Sequence, residues 1–449
     1  MVENAKEEAR TTGNFRFADA PDTAEILKCT HCGLCLNQCP TYRVLGWEMD
    51  SPRGRIRLMR GVTEGLFEVN ESFAEHMDVC LACRACQTAC PANINFGQMV
   101  EAARWQALST LPKKPLPRLL HWAILKQLFP YPARLRGVAS LLWFYQRSGL
   151  QSLARRLHLI PPLLRDSEAL LPRLPDKFAL TRGVVPAKGE KRGRVAFLTG
   201  CIMGTVFADT DAATLRVLTR NGFEVAIPQR QTCCGALAIH AGERMTAKEM
   251  ARRNIDAFLS ENADAIIVNA AGCGLAMKEY GHLLADDPLF ADKAREFSSK
   301  VKDATEFIVS QGIARPTQEI RARVTYQDPC HLAHGQGIRA EPRELLRLIP
   351  GLELVEMRDP DRCCGSAGIY NITHPDVANE VLAAKMDNVE AVKPEIVATA
   401  NAGCLLQLEL GVRQRGMNVE VLHVLDLLDR AYGGPDGYSD GQPRQRGGA

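Results

Sequence analysis

Eight cysteines fall in two runs of one spacing. Cys29, Cys32, Cys35 and Cys39 precede Pro40, and Cys80, Cys83, Cys86 and Cys90 precede Pro91, so CxxCxxCxxxCP occurs twice, 51 residues apart. Three thiolates at three-residue steps can hold three irons of one [4Fe-4S] cube. The chain then turns away at the proline, and the fourth cysteine reaches the other cube. The expected ligand sets are therefore crossed: Cys29, Cys32, Cys35 and Cys90 for one cluster, and Cys80, Cys83, Cys86 and Cys39 for the other. Zinc sites present CxxC pairs across a longer loop, so both a zinc pair and a disulfide framework fit this spacing poorly.

A second group of eight cysteines recurs further along. Cys201, the pair Cys233-Cys234 and Cys273 form one quartet; Cys330, the pair Cys363-Cys364 and Cys404 form another. The intervals agree to one residue, 32 against 33 and 39 against 40, which argues for duplication of one structural unit. Adjacent cysteines bridge to each other only with strain, so each pair points to metal ligation or redox chemistry. The eight are candidate metal ligands for a further cluster, at one point per repeat or at a point shared between repeats. His240, His331 and His334 lie nearby in sequence; ligation, proton transfer and quinone contact compete there with ordinary local hydrogen bonding.

The elements that must position these residues follow from the patterning. Residues 1–21 are polar and aperiodic and read as a flexible leader. A helix capped at Asp22 or Thr23 delivers the chain to Cys29, and Gly33 permits a tight fold around the cube. Ser51-Pro52-Arg53-Gly54 reads as a turn into a basic helix whose arginines, Arg53, Arg55, Arg57 and Arg60, form a solvated face or dock an anionic partner. Residues 96–111 read as a helix closing the domain 22–111. From Pro112 to Arg165 there are ten Lys and Arg and no Asp or Glu. Leu120, Ile124 and Leu128 share a helical face, and Pro130, Pro132, Pro161 and Pro162 interrupt the segment. This basic helical insert and its linker, 112–190, could pack on its own protein, dock an acidic partner or lie on an anionic membrane. In 191–320 and again in 321–432, apolar runs alternate with helical segments and a cysteine follows each run. That order predicts parallel sheets with ligands beyond the carboxyl ends of the strands. Residues 433–449 read as a disordered tail. The fold class is thus α+β and multidomain: a helical 2[4Fe-4S] domain, a basic helical insert and two duplicated α/β domains.

The 449-residue chain has 16 cysteines, 46% hydrophobic residues and a net charge of +3. Its first residues lack the apolar core of a signal peptide, so the expected setting is a reducing cytoplasm, at most peripheral to the inner face of a bacterial inner membrane. The charge is too small to argue for nucleic acid, and no apolar run approaches the length of a membrane span.

The doubled CxxCxxCxxxCP, the stretch HCGLCLNQCPTYRVLGWEMDSPRGRIRLMR and the two CCG-type repeats together resemble the iron-sulfur subunit of bacterial glycolate oxidase. The cysteine-rich half also resembles the CCG subunit of heterodisulfide reductase and the iron-sulfur subunit of anaerobic glycerol-3-phosphate dehydrogenase. The resemblance implies a bacterial-ferredoxin-type domain and an electron conduit. It further implies flavin-containing partner subunits that oxidise glycolate to glyoxylate, with electrons passing onward toward a quinone. It implies no glycolate site in this chain, and no GxGxxG follows a strand to suggest FAD. The alternative is a CCG subunit of the heterodisulfide reductase or glycerol-3-phosphate dehydrogenase type with its own catalytic cluster. One departure bears on that alternative: the heterodisulfide reductase pattern closes each repeat with CxxC, whereas Ala270 and Asn401 occupy the first cysteine's place here.

Overall fold

The computed structural model describes residues 13–112, 119, 121–157, 159–160, 168, 172–180 and 182–434. Residues 1–12 of the leader, Leu120, Pro161, Pro162 and the tail from residue 435 lie outside the described residues. The chain forms two compact units, one comprising residues up to Trp122 with Leu237–Arg244, the other Ala123–Ala236 with Met245 onward.

The first unit is helical. Asp22 caps Thr23–Leu27 by accepting from the Ala24 amide, and Ser51 caps Pro52–Thr63 by accepting from Gly54, so the expected turn is the entry to that helix. Glu71–Asp78 and Phe96–Thr110 complete the frame. Ile56, Met59, Val62, Phe73, Met77, Met99 and Val100 form its core. Two expectations are corrected here. Part of the leader is ordered, because Phe15 is buried in that core and Gln106 exchanges hydrogen bonds with the Phe17 backbone. The basic helix is not uniformly solvated. Arg55 is 0% exposed and donates to the carbonyls of Asp50 and His76 and to Thr41 Oγ1, closing the loop between the two cysteine runs.

The second unit holds two sheets. Strands β1 (Gly183–Val185), β2 (Gly193–Phe197), β3 (Phe223–Ile227), β4 (Ala265–Val268) and β5 (Val301–Asp303) lie in the order β1-β3-β2-β4-β5. Strands β6 (Ala322–Tyr326), β7 (Leu352–Leu354), β8 (Ile396–Thr399) and β9 (Glu420–His423) lie in the order β7-β6-β8-β9. All pairings are parallel except β1 with β3. Strand β1 falls inside the segment read as linker: an edge strand of three residues leaves no alternation to recognise. Without it the two sheets have one winding, in which the chain runs outward on one side of the first strand and then reverses to the other. The switch points fall between β2 and β4 and between β6 and β8, where open parallel sheets place their ligands. One continuous core passes through both repeats, from Phe197 and Val225 to Val324, Leu345 and Leu428. No helix among the described residues is long and apolar enough to cross a membrane.

Candidate iron-sulfur centres

The two cysteine runs fold alike at the backbone. Left-handed φ values occur at His31 and Gly33 in the first, and at Ala82 and Arg84, 51 residues on, in the second. Each such residue reverses the chain so that the flanking side chains face one point, and Ala82 N–H donates to Cys80 Sγ at 3.3 Å. Arg84 holds the position that glycine fills in the first loop, and its buried guanidinium pairs with Glu101 at 3.2 Å. Arg104 secures the approach to the second loop by donating to the carbonyls of Met77, Asp78 and Cys80.

Two hollows result. One is lined by Cys29, Cys32, Cys35 and Cys90, together with Cys86. The other is lined by Cys39, Cys80, Cys83 and Cys86. The last cysteine of each run thus stands with the first three of the other. Among the described residues no group of three or more His, Cys, Asp or Glu gathers around a point suited to a single metal ion. The hollows differ in access, since Cys32 is exposed whereas Cys39, Cys80, Cys83 and Cys86 are buried. Burial pushes the Cys35 thiol up to about 11 and raises Cys39 and Cys86. Assembly of a cluster on these groups must therefore release protons.

In the second unit the cysteines of each quartet approach one another in contacting pairs. Cys201, Cys233 and Cys273 follow β2, β3 and β4, and Cys233 Sγ lies 3.6 Å from Cys201 Sγ. The hydrogen bond with Cys233 raises Cys201, and those with Cys233 and Cys273 raise Cys234. In the second repeat, bonds to Cys330 and Cys364 raise Cys363, and a bond to Cys364 raises Cys404. The repeats meet at their third cysteine loops: Ala271 N–H donates to the Ala400 carbonyl at 3.2 Å, and Gly272 N–H to Asn401 Oδ1 at 3.1 Å. His423 bridges the same seam, donating from Nε2 to the Asn269 carbonyl at 2.9 Å.

Of the histidines singled out in the sequence, His334 is held by the Asp361 carbonyl and by Arg339. His331 approaches the seam, where a Cβ on Gly272 would stand 3.6 Å from its Nδ1. His240 belongs to the first unit, and its carbonyl accepts from Arg104. A separate polar hollow in the second unit contains none of the cysteines, and it is crossed by the Arg216–Asp429 and Arg430–Glu420 ion pairs.

Comparison with known proteins agrees with this division. Residues 25–94 match a 4Fe-4S dicluster domain, and residues 195–278 and 324–409 each match the cysteine-rich CCG domain. Residues 116–171 match the linker region of the glycolate oxidase iron-sulfur subunit. A probable glycolate oxidase iron-sulfur subunit of Bacillus subtilis (strain 168) is 42% identical over 431 residues, 93% of this chain and 96% of that protein. The glycolate oxidase iron-sulfur subunit of Escherichia coli (strain K12) is 35% identical over 419 residues, 92% and 96% of the two chains.

The chain belongs to the family of glycolate oxidase iron-sulfur subunits.

A more distant relative is a subunit of the CoM/CoB fumarate reductase of Methanothermobacter marburgensis, 28% identical over 441 residues, 95% of this chain and 76% of that protein. Membership makes this an iron-sulfur protein of an oxidoreductase system, and the donor chemistry fits that cofactor class: thiols line both hollows and both quartets. Sequence reasoning missed the residues around those thiols, above all Arg84 and Lys385. Neither carries a motif, and each is defined only by the backbone and helix register of the folded unit.

Proposed function

We propose that this chain is the electron-transfer subunit of a glycolate-oxidising complex. A flavin-bearing subunit oxidises glycolate to glyoxylate, and this chain carries the electrons toward a quinone-type acceptor without itself binding glycolate. The observation that carries the reading is the crossed lining of the two hollows, Cys90 with Cys29, Cys32 and Cys35, and Cys39 with Cys80, Cys83 and Cys86. In this reading each set holds one [4Fe-4S] cluster, and each CCG quartet holds a further iron-sulfur centre. When bound, such clusters supply one-electron relay.

The protein's own residues set the conditions for that relay. Buried Cys39, Cys80, Cys83 and Cys86 keep water from one cluster, while Cys32 brings the other to the surface, where a partner's cofactor can approach. The alternative assigns the quartets catalytic chemistry of their own, as in a thiol-dependent reductase. It is disfavoured by Ala270 and Asn401, which stand where that pattern requires a thiolate. The working location is the cytoplasm, peripheral to the inner face of the membrane.

The test is anaerobic purification of the tagged full chain expressed with its genomic neighbours. The expected result is co-purifying flavoprotein and about eight irons per chain from the first unit, with more from the second. Stoichiometric zinc in place of iron, or an isolated chain that turns over glycolate without flavin, would overturn the reading.

A further inference from the structure

The two quartets share one plan, yet the positions around them are filled differently. In each repeat the glycine after the cysteine pair packs on an alanine of the second helix that follows it, Arg244–Leu259 or Pro375–Ala391. A Cβ on Gly235 would stand 3.5 Å from Ala247, and one on Gly365 would stand 2.5 Å from the Ala378 carbonyl oxygen. Seven residues along each helix, that common register places Asn254 in the first repeat and Lys385 in the second.

Asn254 makes a neutral surround. Its Nδ2 donates to the Cys233 carbonyl and to Tyr280 Oη, both at 3.1 Å, and Tyr280 donates to the Cys234 carbonyl at 2.7 Å. Lys385 makes a charged one. It is 2% exposed, and its Nζ donates to the carbonyls of Asp359 and Pro360 at 2.8 and 3.1 Å, on the stretch of chain leading into Cys363-Cys364.

Two acids also distinguish the second repeat, Asp328 and Asp361 where the first has Thr199 and Gln231. Arginines answer both: Arg343 grips the two oxygens of Asp328 at 2.8 Å each, and Arg339 holds Asp361 at 2.9 Å. With both acids paired, Lys385 adds a buried cation on the stretch that leads into Cys363-Cys364. A further difference acts in the same direction, for Asn401 Nδ2 donates to Cys404 Sγ at 3.5 Å, whereas the matching residue of the first repeat is Ala270.

We propose that Lys385 and Asn401 grade the two quartets, making the centre held by Cys330, Cys363, Cys364 and Cys404 the more readily reduced. The proposal rests on the reading that the quartets hold iron-sulfur centres. Reduction adds negative charge to a centre. A cation in a poorly screened interior and a hydrogen bond to sulfur both favour that state. Lys385 and Asn401 are positioning residues, acting on potential and not on substrate. Electrons would then collect at the second repeat, and the first would serve as the step toward it.

The test is a redox titration followed by electron paramagnetic resonance on the full chain. Lys385→Gln, which retains a donor for the Asp359 and Pro360 carbonyls, should shift the second quartet's reduction equilibrium against the reduced state at least tenfold. For one electron that is about 59 mV downward. Asn401→Ala should move the same signal the same way by less, and Lys385→Arg should restore it.

In the unmodified background, Cys364→Ser should remove the higher-potential signal and Cys234→Ser the lower. This comparison stands even if the Lys385 variants fail to fold. Iron content matching the parent with an unshifted potential in Lys385→Gln overturns the grading alone. Quartet variants that lose no iron and no signal overturn the cluster reading and the grading with it.

Discussion

Gly33 and Arg84 occupy the same left-handed position in the two cysteine loops, at φ +83° and +63°. Glycine adopts that conformation freely, whereas a side chain costs about 1 kcal/mol. Gly33 could therefore be read from sequence and Arg84 could not, because its position is secured by a buried pair with Glu101 that forms only on folding. The cysteines themselves were legible through spacing alone, since the geometry of a cube fixes three-residue steps. The crossing of the fourth ligand can be measured. Cys90→Ala and Cys39→Ala should each lose about four irons, but different ones. The cluster left in Cys39→Ala should lie by exposed Cys32 and bleach rapidly with an iron chelator. The cluster left in Cys90→Ala should lie among buried cysteines and bleach slowly. Reversed rates, slow in Cys39→Ala and rapid in Cys90→Ala, would contradict the crossed assignment.

At the scale of elements, the duplication and the strand-cysteine order were readable because periodic apolar runs and cysteine intervals are local signals. The short edge strand β1 and the closing strands β5 and β9 were not. Three- and four-residue strands carry little pattern, and pairing with a neighbour distant in sequence defines them. The seam between repeats was equally hidden. His423 caps the final helix, Val424–Ala431, by accepting from the Leu425 amide at Nδ1, while its Nε2 donates to Asn269 of the first repeat. Both ring nitrogens are thus used in the neutral form, and burial pushes its pKa down to about 4. The sign follows: above pH 6.5 both folded and unfolded states are neutral. As pH falls from 6.5 toward 4 only the unfolded chain takes up the proton, so stability is lost. The loss reaches about 3 kcal/mol by pH 4. Acid unfolding followed by circular dichroism should therefore begin at lower pH in His423→Gln than in the parent, even though the substitution lowers stability at neutral pH. An unchanged acid limb would show that His423 does not govern it.

At the scale of the molecule, the first unit grades access to its two cysteine hollows. The enclosed one is ringed by buried thiols, while the open one is lined by exposed Cys32 and by Leu34, which is 60% exposed. An exposed leucine lining a cysteine hollow leaves apolar surface for a partner to cover. Electron transfer weakens steeply with distance, so on the proposed function a flavin subunit would cover that mouth or one equally close to a cysteine-lined hollow. Leu34→Asp places a charge there without touching a cysteine or the core. If the open hollow is the port, Leu34→Asp should retain its full iron. Reduction by the flavin subunit should fall about tenfold at subsaturating partner, the scale of one apolar contact in an interface, and raising partner concentration should recover it. Reduction as fast as the parent's at every concentration would move the port elsewhere on the chain. A loss that high partner concentration did not recover would instead mark damage to the relay itself.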